Sequence, residues 1–142
     1  SINALCCRTW EELPQPQRGP MRLTAEEYAS GKARYVAMLR LLCALPGIPC
    51  VYYGDEAGLQ GASDPFCRGT FPWGKEDAAL QSQVRALLQA RRQSPALQTG
   101  TLEVTAVDAD TLRIVREIRD GRDVFGKPAA NERAEIEIRR TI

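Results

Sequence analysis

The stretch Gly47-Ile48-Pro49-Cys50-Val51-Tyr52-Tyr53 is continuously apolar and lies between Pro46 and Gly54-Asp55. A short apolar run bounded by turn signals predicts a strand buried on both faces, the kind found in parallel sheets covered by helices. Pro49 sits near its start, where a missing ladder donor is tolerated. The flanks agree. Thr24 and Glu27 form a capping box ahead of apolar residues at Tyr28, Tyr35, Met38, Leu39, Leu42 and Leu45, which predicts a helix from Thr24 that Pro46 and Gly47 stop. From Val36 onward this helix is apolar almost all round, which predicts burial on several sides. A second helix is predicted from Glu76 to Gln93. Glu76 and Asp77 suit its positive end, Arg91 and Arg92 its negative end. Leu80, Val84, Leu87 and Leu88 make its apolar stripe, and Arg85, Arg91 and Arg92 read as a solvated face. Helix, buried strand, loop and helix in that order is α/β logic.

The rest of the chain is different. Ser1 to Arg22 reads as a loop punctuated by Pro14, Pro16, Gly19 and Pro20. Thr101–Val107 and Thr111–Ile118 alternate and are rich in β-branched residues, with a turn at Asp108-Ala109-Asp110; Ala134–Ile138 alternates again. This tail predicts a small antiparallel β module. No repeat of solenoid period is present.

Composition narrows the chemistry. The chain holds no histidine, which excludes Ser-His-Asp and Cys-His catalysis and His-ligated metal sites built from these residues. Its five cysteines (Cys6, Cys7, Cys43, Cys50, Cys67) are odd in number and lack C-x-x-C spacing. They read as free thiols in a reducing compartment, so a cytoplasmic location is expected, with no metal and no cofactor. The adjacent Cys6 and Cys7 also admit a redox reading. With a net charge of +1 and no basic arm, neither nucleic acid nor a membrane surface is an expected partner. No signal peptide is expected either.

Two groups of residues offer chemistry. Asp55 and Glu56 follow the apolar run, and paired carboxylates are what a glycosidase uses. Successive side chains leaving a strand point to opposite sides, which favours a loop-organising role. The second group is Asp64-Pro65-Phe66-Cys67-Arg68. One helical turn opened by Asp64 as N-cap sets Asp64 and Arg68 side by side. That pair reads either as a local ion pair or as a clamp for a hydroxyl-rich ligand, since Arg offers a fixed fork of donors and Asp offers acceptors. Trp10, Tyr52, Tyr53, Phe66, Phe71 and Trp73 read as packing residues or as platforms for sugar rings.

Leu45-Pro46-Gly47-Ile48-Pro49-Cys50-Val51-Tyr52-Tyr53-Gly54-Asp55-Glu56 resembles the eighth-strand signature of the α-amylase family of glycoside hydrolases. Asp64-Pro65-Phe66-Cys67-Arg68-Gly69-Thr70-Phe71-Pro72-Trp73 resembles the neopullulanase and cyclomaltodextrinase branch. The resemblance covers Leu23 to Leu97 well and the β tail loosely. It implies a (β/α)8 barrel followed by a β-sandwich, with the active site at the carboxyl ends of the barrel strands. It implies retaining hydrolysis of α-glucosidic bonds in starch-like glucans by an Asp nucleophile, a Glu acid/base and a transition-state-stabilising Asp, all upstream of this sequence. Asp64 and Arg68 match the Asp-Pro-x-x-Arg whose ends contact glucose units. Asp55 and Glu56 match a structural position at the strand end.

The resulting expectation is an α/β fragment, the last units of a TIM barrel, over residues 1–97, and a truncated β-sandwich over residues 98–142. The intact parent is expected to bind an α-glucan oligosaccharide, and this chain alone to be inactive. The alternatives are a non-catalytic α-glucan-binding or interaction module, and a stand-alone enzyme using Asp55, Glu56 and Asp64. A lone buried-type strand leaves open edges and uncovered helix faces. The chain is therefore expected either to self-associate or to cover that strand with the strands of its tail.

Overall fold

A computed structural model describes residues 13–62 and 64–140. Its elements run α1 (Gln15–Arg18), α2 (Ala25–Ala44), a 3-10 turn (Asp55–Ala57), α3 (Ala78–Gln93), α4 (Pro95–Thr99), β1 (Thr101–Ala106), β2 (Thr111–Ile118) and β3 (Glu132–Arg139). They form two compact units. One takes the described part of Ser1–Val36 with Cys50–Val84, and the other Ala37–Pro49 with Arg85–Ile142.

In the first unit the capping box of α2 is made. The Thr24 amide donates to Glu27 Oε2 at 2.8 Å and the Glu27 amide to Thr24 Oγ1 at 3.2 Å, so two orphan donors of the first turn are satisfied. Asp77 caps α3 through the Leu80 amide at 2.9 Å, and accepts from Lys32 Nζ at 2.7 Å and the Tyr28 hydroxyl at 2.9 Å. Burial works against the Asp77 carboxylate. The Lys32 ammonium, the Leu80 amide and the Tyr28 hydroxyl outweigh it and hold the carboxyl below the usual range. The Tyr28 hydroxyl is correspondingly raised, first by burial and then by its bond to Asp77.

In the second unit three strands form an antiparallel sheet in the order β1-β2-β3. Leu102 pairs with Arg116 and Val104 with Ile114; Ile114 pairs in turn with Ile136, and Leu112 with Ile138. Ile114, Val115 and Ile118 are buried. Two buried arginines organise this unit. Arg91 donates to the carbonyls of Cys43, Leu45, Gly47 and Leu97. Arg116 donates to those of Ala44, Leu97, Gly100 and Thr101. Helix α2 has no basic residue in its own last turn, and these two guanidinium groups satisfy its final carbonyls instead. Ser94 caps α4 through the Leu97 amide at 3.1 Å, and Glu132 of β3 takes the Ala96 amide at 3.0 Å.

Several expectations are corrected. Residues 47–53 form no strand and enter no ladder. Burial on both faces fails as well, with Ile48 94% exposed and Tyr52 and Tyr53 exposed. A buried parallel strand needs neighbours on both edges, and the tail's strands pair with one another instead. The late part of α2 buries Leu39, Cys43 and Ala44 but leaves Met38 and Leu42 exposed, so its burial is one-sided. Arg91 is not solvated: it is 6% exposed, while Arg85 and Arg92 are exposed as expected. Part of the expected N-terminal loop is the turn α1, which Pro14 and Pro16 start because proline costs no bond in a first helical turn. The three tail strands and both long helices stand where the sequence pattern puts them. Cys6, Cys7 and Trp10 lie outside the described residues.

Candidate functional site

The loop from Gly54 to Gly74 is built by close backbone approaches. Gly54 and Gly58 flank the 3-10 turn with φ of 85° and 77°, a region that glycine enters without a Cβ penalty. A Cβ at Gly61 would stand 2.6 Å from the Phe66 carbonyl oxygen, so residue 61 must lack a side chain for the two arms of the loop to meet. Asp55 opens the 3-10 turn and is buried. Burial pushes its carboxyl up, and the neighbouring Glu56 charge pushes in the same direction. Glu56 is half-buried, and its Oε2 has no hydrogen-bond partner among the described residues.

Asp64 and Arg68 meet in the turn that follows. The expected helical turn is a non-helical turn with a cis Asp64–Pro65 peptide, closed by the Arg68 amide on the Pro65 carbonyl at 3.1 Å. Arg68 Nε donates to Asp64 Oδ1 at 2.6 Å and Nη2 to Oδ2 at 2.7 Å. This is the parallel two-bond geometry in which a guanidinium holds a carboxylate. The side chains are 64% and 62% exposed, so the pair faces solvent. It leaves Nη1 of Arg68 outside the fork. The Asp64 hydrogen bond and charge raise the Arg68 guanidinium further above its ordinary value.

Aromatic rings line the same loop. The Tyr53 hydroxyl donates to the Gly69 carbonyl at 3.0 Å, which ties Tyr53 to the residue after Arg68. The Tyr52 and Tyr53 ring centroids are 4.9 Å apart. Phe71 and Trp73 pack at 4.6 Å, and Trp73 is 77% exposed. An exposed fork of donors and acceptors beside exposed rings is the chemistry that recognises a hydroxyl-rich ring. Among the described residues, Asp64 accepts from Arg68 and from the Cys67 thiol, not from Asp55 or Glu56.

Among the described residues no group of His, Cys, Asp and Glu has the arrangement of a metal site. Cys43, Cys50 and Cys67 are free thiols. No described helix is long and apolar enough to cross a membrane. Sequence reasoning missed the Asp77 cluster and the two buried arginines. Asp77 stands three residues before Leu80 at a helix start, a capping signal; nothing local marks Arg91 or Arg116, because most of their partners are carbonyls distant in the chain.

No protein-family model matches the chain. Curated relatives do. The chain is 40% identical over 103 residues to an amylopullulanase of Thermoanaerobacter thermohydrosulfuricus, a match covering 72% of this chain and 7% of that protein. It is 35% identical over 111 residues to a cyclomaltodextrinase of Geobacillus thermopakistaniensis, covering 75% and 19%. The chain thus spans less than a fifth of either relative. Among solved structures, the ligand-free cyclic α-maltosyl-(1→6)-maltose hydrolase of Arthrobacter globiformis superposes with a TM-score of 0.67 at 34% identity, covering 81% of this chain and 24% of that one. The same enzyme in complex with maltose gives a TM-score of 0.59 at 39% identity, covering 64% and 21%. The chain belongs to the α-amylase family of glycoside hydrolases, on its neopullulanase- and cyclomaltodextrinase-like side.

Proposed function

We propose that this chain is part of an enzyme that hydrolyses α-glucosidic bonds in starch-like glucans with retention, and that it supplies a sugar-contacting turn but not the reacting groups. Residues 1–97 then correspond to the last units of a (β/α)8 barrel, and residues 98–142 to part of the β domain that follows. The observation that carries the reading is the Asp64–Arg68 fork, exposed and two-bonded at 2.6 and 2.7 Å. It stands beside the exposed Tyr52 and Tyr53 and within the stretch that resembles the neopullulanase and cyclomaltodextrinase branch. A fork fixed in this way recognises vicinal hydroxyls without reorganising, which lowers the ordering cost of binding.

Retaining hydrolysis needs two carboxyl groups about 5 Å apart on opposite sides of the scissile bond. Of the three acids in this loop, Asp55 is buried and Asp64 has both oxygens engaged by Arg68, so Glu56 has no second carboxyl to work with. The chain on its own is therefore inactive. The test is an assay on maltooligosaccharide, pullulan and cyclodextrin. No turnover above a heat-killed control is expected. Turnover abolished by Glu56→Gln would overturn the reading. Calorimetry with maltotriose separates it from a stand-alone glucan-binding module: micromolar affinity lost in Arg68→Ala would favour the module.

A further inference from the structure

The two edges of the sheet are built differently. On β3 the residues Arg133, Glu135, Glu137 and Arg139 alternate along the strand and are exposed, the charge pattern that keeps an edge from pairing with another chain. Strand β1 has one charge, Glu103, no proline and an unbroken register against β2. All six of its residues are exposed.

The hydrogen-bonding parity of β1 follows from its hairpin. The Val107 amide donates to the Thr111 carbonyl at 2.9 Å. Bonded and unbonded pairs alternate in an antiparallel ladder, so Thr101, Glu103 and Thr105 face β2 with their polar backbone groups. Leu102, Val104 and Ala106 turn theirs outward. In register these residues share a face with Ile114 and Arg116 of β2, both buried. Leu102 and Val104 remain 43% and 49% exposed.

We propose that β1 is a pairing edge for a second copy of this chain, the two β1 strands running antiparallel about a two-fold axis through Val104 and joining the sheets edge to edge. Val104 then faces the partner's Val104, Leu102 faces the partner's Ala106, and Glu103 faces the partner's Thr105. This register meets outward amides with outward carbonyls, continues the apolar face across the dyad and sets no like charges opposite each other. A shift that centres the dyad on Glu103 sets two carboxylates opposite, which is destabilising. A one-residue slip sets the apolar face of one sheet against the charged face of the other. The contact is mainly backbone and small in area, so the dimer is weak and reversible.

Sedimentation velocity of the full chain in reductant, over a concentration series, tests this. The expected result is a monomer–dimer equilibrium that stops at two copies. Val104→Lys raises its dissociation constant at least tenfold and keeps the chain folded at concentrations where the wild type is monomeric, because Val104 is half-exposed in the monomer. Thr105→Lys sets an ammonium opposite the partner's Glu103 and tightens the dimer severalfold; adding Glu103→Gln removes the gain. A monomer at all concentrations would overturn the proposal. So would a dimer indifferent to both lysines, weakening by Thr105→Lys, or an open-ended series of oligomers.

Discussion

Arg68 in the first unit and Arg116 in the second use the same fork of donors to opposite ends. Arg68 grips one carboxylate on an exposed turn. Arg116 is 1% exposed and grips four backbone carbonyls, with Arg91 bound in the same manner beside it. Burial lowers the Arg116 guanidinium, and the Arg91 charge lowers it further. The carbonyls at the end of α2 are what make that burial tolerable. A guanidinium surrounded by carbonyls is part of the scaffold. One that holds a solvent-facing carboxylate costs the fold little.

The comparison breaks first at Arg116. Arg116→Met removes the guanidinium from four carbonyls, of which that of Leu97 keeps Arg91 as a donor, and is expected to destabilise by about 3–5 kcal/mol in urea titrations. Arg91→Met follows at about 2–4 kcal/mol, while its exposed neighbour sharpens the contrast: Arg92→Met stays within ~0.5 kcal/mol. Asp77→Ala removes a helix cap and the partner of Lys32, for about 1–2 kcal/mol. Its pH dependence has a fixed sign. The folded Asp77 carboxyl lies below its unfolded value, so its contribution is full above the unfolded value near ~4 and is lost as pH falls through the folded one. The stability gap between wild type and Asp77→Asn should therefore close on acidification below about pH 4. The smallest effect belongs to Arg68→Ala, whose midpoint should be indistinguishable from wild type.

The elements that were legible in the sequence carry their partners close by. Thr24 and Glu27 are three residues apart, and β1 meets β2 across the short turn at Asp108–Asp110. Local capping and hairpin closure depend on little else. Ion pairing of Asp64 with Arg68 was legible for the same reason, although the turn that brings them together is not helical. The run Gly47–Tyr53 carries an equally strong signal and makes no strand, since its hydrogen bonds depend on strands that are not its neighbours in this sheet. Arg91 was misread for a related reason. Helix periodicity puts it on a charged face, and the carbonyls of Cys43, Leu45 and Gly47 that bury it are more than forty residues away.

In the proposed reading the Asp64–Arg68 turn meets sugar and the arginine-bound sheet does not. Amide shifts followed by heteronuclear NMR during titration with maltotriose test it most directly. The account predicts weak binding, with a dissociation constant on the order of millimolar, and shifts confined to Tyr52, Tyr53, Arg68 and Gly69 that vanish in Arg68→Ala. Shifts centred on β1–β3, or none at the turn at saturating sugar, would contradict it.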